Sequence, residues 1–282
     1  METLPIETTV ADKRLIGSAI GVYVLAVLAV LPWVTMPLPP FPPTVTIFTT
    51  WIVFADLATA FVLGRHIRRH ESRSMLLLCC AYLYSALMGV AHILTFPGAL
   101  LRGAPFIGGL QITSYIYNGW KLGFALLVLA AVMVPQQRLR TRRWNWIARI
   151  SIAAVCVAVI AGVVAGLQAE GALPALINAA AFTVLDIVLS LGAVFIGMIA
   201  IALLLIRDVD KLPSLWLIAV MAFFCGDLLT SGLGGGRFTV GWYFGRTSGL
   251  ISACVLCIFF LWRFATEQRA TASAELKREP RD

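Results

Sequence analysis

Apolar windows of about 20 residues, each long enough to cross the hydrocarbon core of a bilayer, recur along almost the whole chain. Eight are present, over 15–33, 44–63, 74–96, 111–134, 144–167, 182–206, 214–233 and 242–264. The connections between them are short, which predicts antiparallel neighbours in one compact bundle. The expected fold class is an all-α, polytopic membrane helix bundle with eight transmembrane helices. The chain divides into an N-terminal segment 1–14, a membrane domain 15–264 and a tail 265–282. The tail is polar and rich in helix formers, so it reads as a continuation of the last helix into the cytoplasm.

With 60% hydrophobic and 13% charged residues, an ordinary soluble domain is excluded. The net charge of +8 suggests nucleic acid only until its placement is read. Lys13 and Arg14 precede the first span; Arg65, Arg68, Arg69 and Arg73 fill the second connection; Arg138, Arg140, Arg142 and Arg143 fill the fourth. Arg207 and Lys211 lie in the sixth, and Arg269, Lys277, Arg278 and Arg281 in the tail, whereas the alternate connections hold only Arg102 and Arg237. This is the positive-inside pattern, with both termini cytoplasmic. The basic charge then reports topology and contact with the lipid bilayer, with no nucleic-acid partner.

Other features read as structural. None of the six cysteines falls in an outward connection, so no disulfide framework is implied; Cys254 and Cys257 suit helix packing. The first span lacks a cleavage site and is read as retained. Pro37, Pro39, Pro40, Pro42 and Pro43 predict an extended, stiff strap over the outer mouth of the bundle. Gly234, Gly235 and Gly236 form a turn without the Lys and Ser/Thr of a phosphate loop.

The candidate chemistry lies in six ionisable side chains inside the spans: Asp56, His92, Lys121, Asp186, Asp227 and Arg246. A charge at bilayer depth costs a few kcal/mol or more unless paired or solvated. Counted from the outer span ends, His92, Asp186, Asp227 and Arg246 lie roughly 6–9 Å inside. Lys121 lies nearer the midplane, with Asn118 a turn above it and Trp120 beside it, and Asp56 lies in the inner half of its span. Three carboxylates against Lys121 and Arg246 leave one negative charge, which a protonated His92 or a bound cation would balance. As bundle glue, the expected pairs are Asp227 with Arg246 and Asp56 with Lys121. As a polar cavity, the outer layer forms a ligand site of His92, Lys121, Asp186, Asp227, Arg246, Asn118 and Trp120. Phe96, Pro97 and Gly98 form a rigid corner beside His92, and Asp56 is structural.

Catalytic readings are weaker. His66 and His70 share a helix face, but a positive field surrounds them and opposes a metal, so neither metal nor cofactor is expected. Gly245-Arg-Thr-Ser-Gly249 admits a Ser248–His92 dyad, although small residues also serve helix packing. No enzyme activity is expected.

The segments Phe54-Ala-Asp56-Leu-Ala-Thr-Ala60, Ala81-Tyr-Leu-Tyr84, Asn118-Gly-Trp-Lys-Leu-Gly-Phe124 and above all His92-Ile-Leu-Thr-Phe-Pro-Gly98 resemble the fourth class of MASE (membrane-associated sensor) domains, over residues 12–265. Lys121 departs from that pattern, standing where a less basic residue, often His, is expected. The resemblance implies a multi-pass sensory module of a bacterial cell inner membrane, preceding a GGDEF cyclase or histidine kinase output domain. This chain carries no such output motif. The resulting expectation is a sensor that perceives a small ligand or protonation in an outward pocket and relays it along the last helix to a cytoplasmic signalling partner, with homodimerisation left open. A small-solute or ion transporter using the same charges is the alternative, and a membrane scaffold a further one. The inner halves of the last three spans are almost wholly apolar, which disfavours a continuous solute path.

Overall fold

The computed structural model describes residues 8–70, 72–134 and 144–276, with side chains except at 66, 68–70, 263–264 and 266–276. Among the described residues, eight helices are long and apolar enough to cross a membrane. They are α1 Val10–Val30, α2 Pro43–His70, α3 Arg73–Thr95, α4 Ile112–Met133, α5 Trp144–Ala169, α6 Val184–Arg207, α7 Leu212–Leu233 and α8 Val240–Leu276. Several starts are locally encoded. Thr9 and Asp12 form a capping box on α1, and the Ser72 and Thr183 hydroxyls accept from backbone N–H groups in the first turns of α3 and α6, satisfying donors that no helical carbonyl can reach. The side chains of His66 and His70 lie outside the described ones.

The expectation of antiparallel sequence neighbours holds for only part of the bundle. Helices α2, α3, α4, α6, α7 and α8 close into a six-membered ring, in which α4 packs on α6 and α2 on α8. Those two pairings join parallel helices. Helix α1 packs outside on α7, and α5 outside on α3 and α4. The reason is legible in the polar residues. Each ring helix contributes one of the six intramembrane ionisable groups: Asp56 from α2, His92 from α3, Lys121 from α4, Asp186 from α6, Asp227 from α7 and Arg246 from α8. A helix bearing such a group must turn that face inward. Helix α1 carries its charges only in its first turns and α5 carries only Arg149, exposed near its basic end. Neither must turn a charged face inward, and both remain largely in the lipid-facing layer, with 11% and 6% of their most apolar windows buried.

The two ends of the ring differ. One is the end to whose connections the sequence assigns most of the Lys and Arg residues, and it is called the basic end. At the other, the loop-rich end, the connections interlock. The proline strap runs beside the α7–α8 turn, with Leu38 N–H donating to the Phe238 carbonyl at 2.8 Å and Val240 N–H to that of Met36 at 2.9 Å. Gly98, at φ +82°, occupies the left-handed region at the α3 corner, and a Cβ there would stand 2.8 Å from Pro42. A short hairpin, β1 Ile177–Asn178 with β2 Ala181–Phe182, lies in the α5–α6 connection and joins the α7–α8 turn through the Arg237 N–H to Ala180 carbonyl bond of 2.8 Å.

Glu170 ties α5 to the start of α4: its carboxylate accepts from the N–H groups of Gly109, Gln111 and Ile112 at 2.7, 3.1 and 3.1 Å. Glu170→Ala orphans these donors, and an unsatisfied buried group costs about 1–3 kcal/mol. The expected result is a lower melting temperature and faster amide hydrogen exchange confined to 109–112; unchanged exchange there would refute this role.

Candidate functional site

The six ionisable groups separate into two connected clusters within the ring. The cluster nearer the loop-rich end surrounds a cavity of about 20 Å³, room for one water-sized occupant, which needs about 10–15 Å³. His92 and Phe96 of α3, Ser114 and Tyr117 of α4, Asp186 and Ser190 of α6, Ser231 of α7, and Trp242 and Arg246 of α8 line it, together with Arg237. The first turns of α4, α6 and α8 deliver Ser114, Asp186 and Trp242, so three helix N-termini meet here.

Asp227 is the centre of the charge network. It is 1% exposed. Its Oδ2 accepts from Lys121 Nζ at 2.6 Å, while Oδ1 lies 3.4 Å from Tyr117 Oη, 3.4 Å from Ser231 Oγ and 3.6 Å from Arg246 Nη1. The Arg246 guanidinium also lies 4.2 Å from the Tyr117 ring centre and 5.0 Å from that of Trp242, within cation–π range. Asp186 accepts from Asn118 Nδ2 at 2.7 Å, and Asn118 Oδ1 accepts from Ser190 Oγ at 3.2 Å.

The deeper cluster surrounds a second small cavity lined by Asp56, Tyr82, Ser85, Trp120 and Lys121. Trp120 Nε1 donates to Ser85 Oγ at 2.7 Å, and Ser85 Oγ donates to Asp56 at 2.5 Å. The expected Asp227–Arg246 pair therefore exists as a 3.6 Å contact, but Lys121 bonds Asp227 rather than Asp56. A hydroxyl from α3 satisfies Asp56 instead, because Ser85 projects between α2 and α4. Trp120 belongs to this deeper cluster and does not line the loop-end cavity. Towards the basic end, Leu63, Met221, Leu256 and Phe259, each 2% exposed or less, fill the ring.

Sequence reasoning missed Arg237. It lies in a connection, yet the α7–α8 turn folds it into the cavity mouth, where Nη2 donates to Ser114 Oγ at 3.1 Å and the guanidinium lies 5.0 Å from the Phe96 ring centre. Burial, then the like charge of Arg246, push Arg237 down to about 10, with Asp186 opposing; it stays charged at neutral pH. The signal was its isolation, since only Arg102 shares the outward connections with it. Counting Arg237 removes the negative excess expected from the sequence: three carboxylates face three cations with His92 neutral.

His92 is 2% exposed, and neither ring nitrogen has a hydrogen-bond partner. Phe96, Tyr117 and Trp120 surround it with ring centres 5.6–5.9 Å away. The Thr113 backbone faces the imidazole without completing a well-formed bond. Arg246 Nε is likewise buried and unpartnered. Ser248 donates to the Phe244 carbonyl at 3.0 Å, so no Ser248–His92 dyad is formed. Among the described residues, no group of three or more His, Cys, Asp or Glu side chains could hold a metal.

Residues 39–266 match the family model MASE4, described as a membrane-associated sensor, integral membrane domain. The chain belongs to the MASE4 family. It is thus an integral, multi-pass membrane sensory module. The match begins at 39, so α1 stands outside it, whereas the six-helix ring that carries both clusters lies within it up to residue 266 of α8. No match was found among curated proteins or among solved structures.

Proposed function

We propose that this MASE4 protein perceives a small polar ligand in the loop-end cavity and passes the event along α7 and α8 to a cytoplasmic signalling partner, without catalysing a reaction itself. The observation that carries this reading is the unpartnered His92 in that cavity. A buried polar group without a partner is uncommon in a native structure, and a ligand entering here would meet free imidazole and Arg246 Nε donors or acceptors. The positive-inside distribution supports placing the loop-rich end outside and the basic end in the cytoplasm, in a bacterial inner membrane.

The relay follows from Asp227. Its carboxylate lies between Lys121 of α4 and Arg246 of α8, so a ligand that draws Arg246 away changes how α7 and α8 pack. The signal must bind one arrangement better than the other to shift the balance. Helix α8 runs 37 residues without interruption, about 55 Å at 1.5 Å per residue, and so carries a displacement well beyond the membrane. Polar groups crowd towards one end and apolar side chains fill the other, which favours a receptor over a conduit. A cyclase or kinase, fused or separate, is the proposed output class.

His92→Ala and Arg246→Gln, in a chain fused after Asp282 to an enzymatic reporter, are expected to abolish the response to extracts of growth medium while membrane insertion persists. Signalling equal to that of the unsubstituted fusion in both variants would overturn the assignment.

A further inference from the structure

The loop-end cavity has a charge preference as well as a location. Of the side chains that line it, Arg237 and Arg246 are cationic and Asp186 is anionic, a surplus of one positive charge with His92 neutral; Lys121 and Asp227 lie beside it, paired with each other. Both carboxylates already have donors: Asp227 is held by Lys121 at 2.6 Å and Asp186 by Asn118 at 2.7 Å. Arg237 has no carboxylate oxygen within salt-bridge distance among the described residues, and its guanidinium donates to a neutral hydroxyl, that of Ser114. Arg246 reaches Asp227 only at 3.6 Å and keeps a buried, unpartnered Nε.

Around these charges the supply of donors exceeds the demand. The His92 imidazole and the Arg246 Nε line one small space without partners, whereas the Ser190 and Ser231 hydroxyls beside them already donate to Asn118 and Asp227. The first turns of α4, α6 and α8 open towards it, against the last turns of α3 and α7, leaving a positive balance of helix-end partial charge. A cation would meet guanidinium groups and helix N-termini; an anion would meet paired carboxylates. The volume of about 20 Å³ admits a single occupant close to a water molecule in size.

Resting on the sensory reading of this cavity, we propose that its ligand is a small monovalent anion of halide size, bound by Arg237 and Arg246 with His92 completing the site. One negative charge cancels the surplus, whereas a dianion would reverse it. Binding would draw Arg246 from Asp227, the contact through which α8 is set against α7.

The test uses the purified full chain in lipid nanodiscs with sodium chloride as probe, at constant ionic strength made up with sodium gluconate. Chloride NMR line broadening is expected to saturate, to be reversed by sodium bromide and to be unaffected by adding sodium gluconate alone. Arg237→Gln and Arg246→Gln should weaken chloride by about tenfold or more, as loss of a charge-assisted hydrogen bond implies. Lys13→Gln, at the basic end, should leave it unchanged. Arg237 lies in a turn, so its variant serves if Arg246→Gln does not fold. Absence of saturable broadening, no reversal by bromide, or wild-type affinity in Arg237→Gln overturns the anion assignment. The reporter separates the two proposals: loss of response in His92→Ala without any anion binding leaves the sensor standing, and anion binding with silent substitutions leaves only the site.

Discussion

Asp227→Asn is expected to lower the unfolding free energy by about 3–5 kcal/mol, the range for breaking a buried charge pair by removing one partner. The carboxylate is 1% exposed and is the nearest anionic group to Lys121, itself 6% exposed. The substitution preserves shape and leaves Lys121 and Arg246 buried beside a neutral amide. Lys121 cannot snorkel to an interface, because it is enclosed by Trp120, Tyr117 and Phe224. Adding Lys121→Met should restore a substantial part of the loss, since an apolar replacement of both partners removes the orphaned charge. Folded fraction across an SDS titration, taken through the full double-mutant cycle, measures both numbers. A loss below about 1 kcal/mol for Asp227→Asn, the level of an exposed ion pair, would show that water reaches this network.

Gly245→Val is expected to be comparably damaging, for a steric reason. Gly241, Gly245 and Gly249 are spaced four apart on α8 and lie against α7. A Cβ at Gly245 would stand 2.1 Å from Ser231 Oγ and 2.7 Å from the backbone oxygen of Asp227; at Gly241, 2.4 Å from the backbone oxygen of Thr230; at Gly249, 2.8 Å from Asp227 Oδ2. Small residues at this spacing let two helices approach closely, and here they also hold Arg246 at the height of Asp227. Overpacking a close contact costs about 1–3 kcal/mol, which is the expectation for Gly245→Ala. The branched side chain of Val should exceed that range, pushing α8 from α7 and uncoupling Arg246 from Asp227. Gly192→Ala is the control: nothing lies within 4 Å of its added Cβ, so its stability should stay within about 0.5 kcal/mol. Equal melting temperatures for Gly245→Val and Gly192→Ala would refute close α7–α8 packing.

These glycines show how a motif changes meaning once helices are placed. Gly245-Arg-Thr-Ser-Gly249 admitted a serine nucleophile by its spacing. The structure turns Ser248 onto its own helix backbone and assigns the two glycines to a packing face. His92 shows the opposite. Its position beside the Phe96-Pro97-Gly98 corner suggested a constrained polar site, and the side chain is buried, ringed by aromatics and unpartnered.

The sequence alone determined the number and length of the spans, the asymmetry of basic charge and the short roster of groups that had to avoid lipid. Those properties are local or additive: a bilayer selects apolar length, and a charge costs energy wherever it meets hydrocarbon. Tertiary structure decided which helices form the ring, that Lys121 pairs with Asp227 rather than Asp56, and that Arg237 folds from a loop into the cavity mouth. Such outcomes depend on how each helix is rotated about its axis and on which non-neighbouring helix it meets. Hydropathy along a single chain carries neither quantity, because pairing energy appears only when two side chains distant in sequence share one depth and one face.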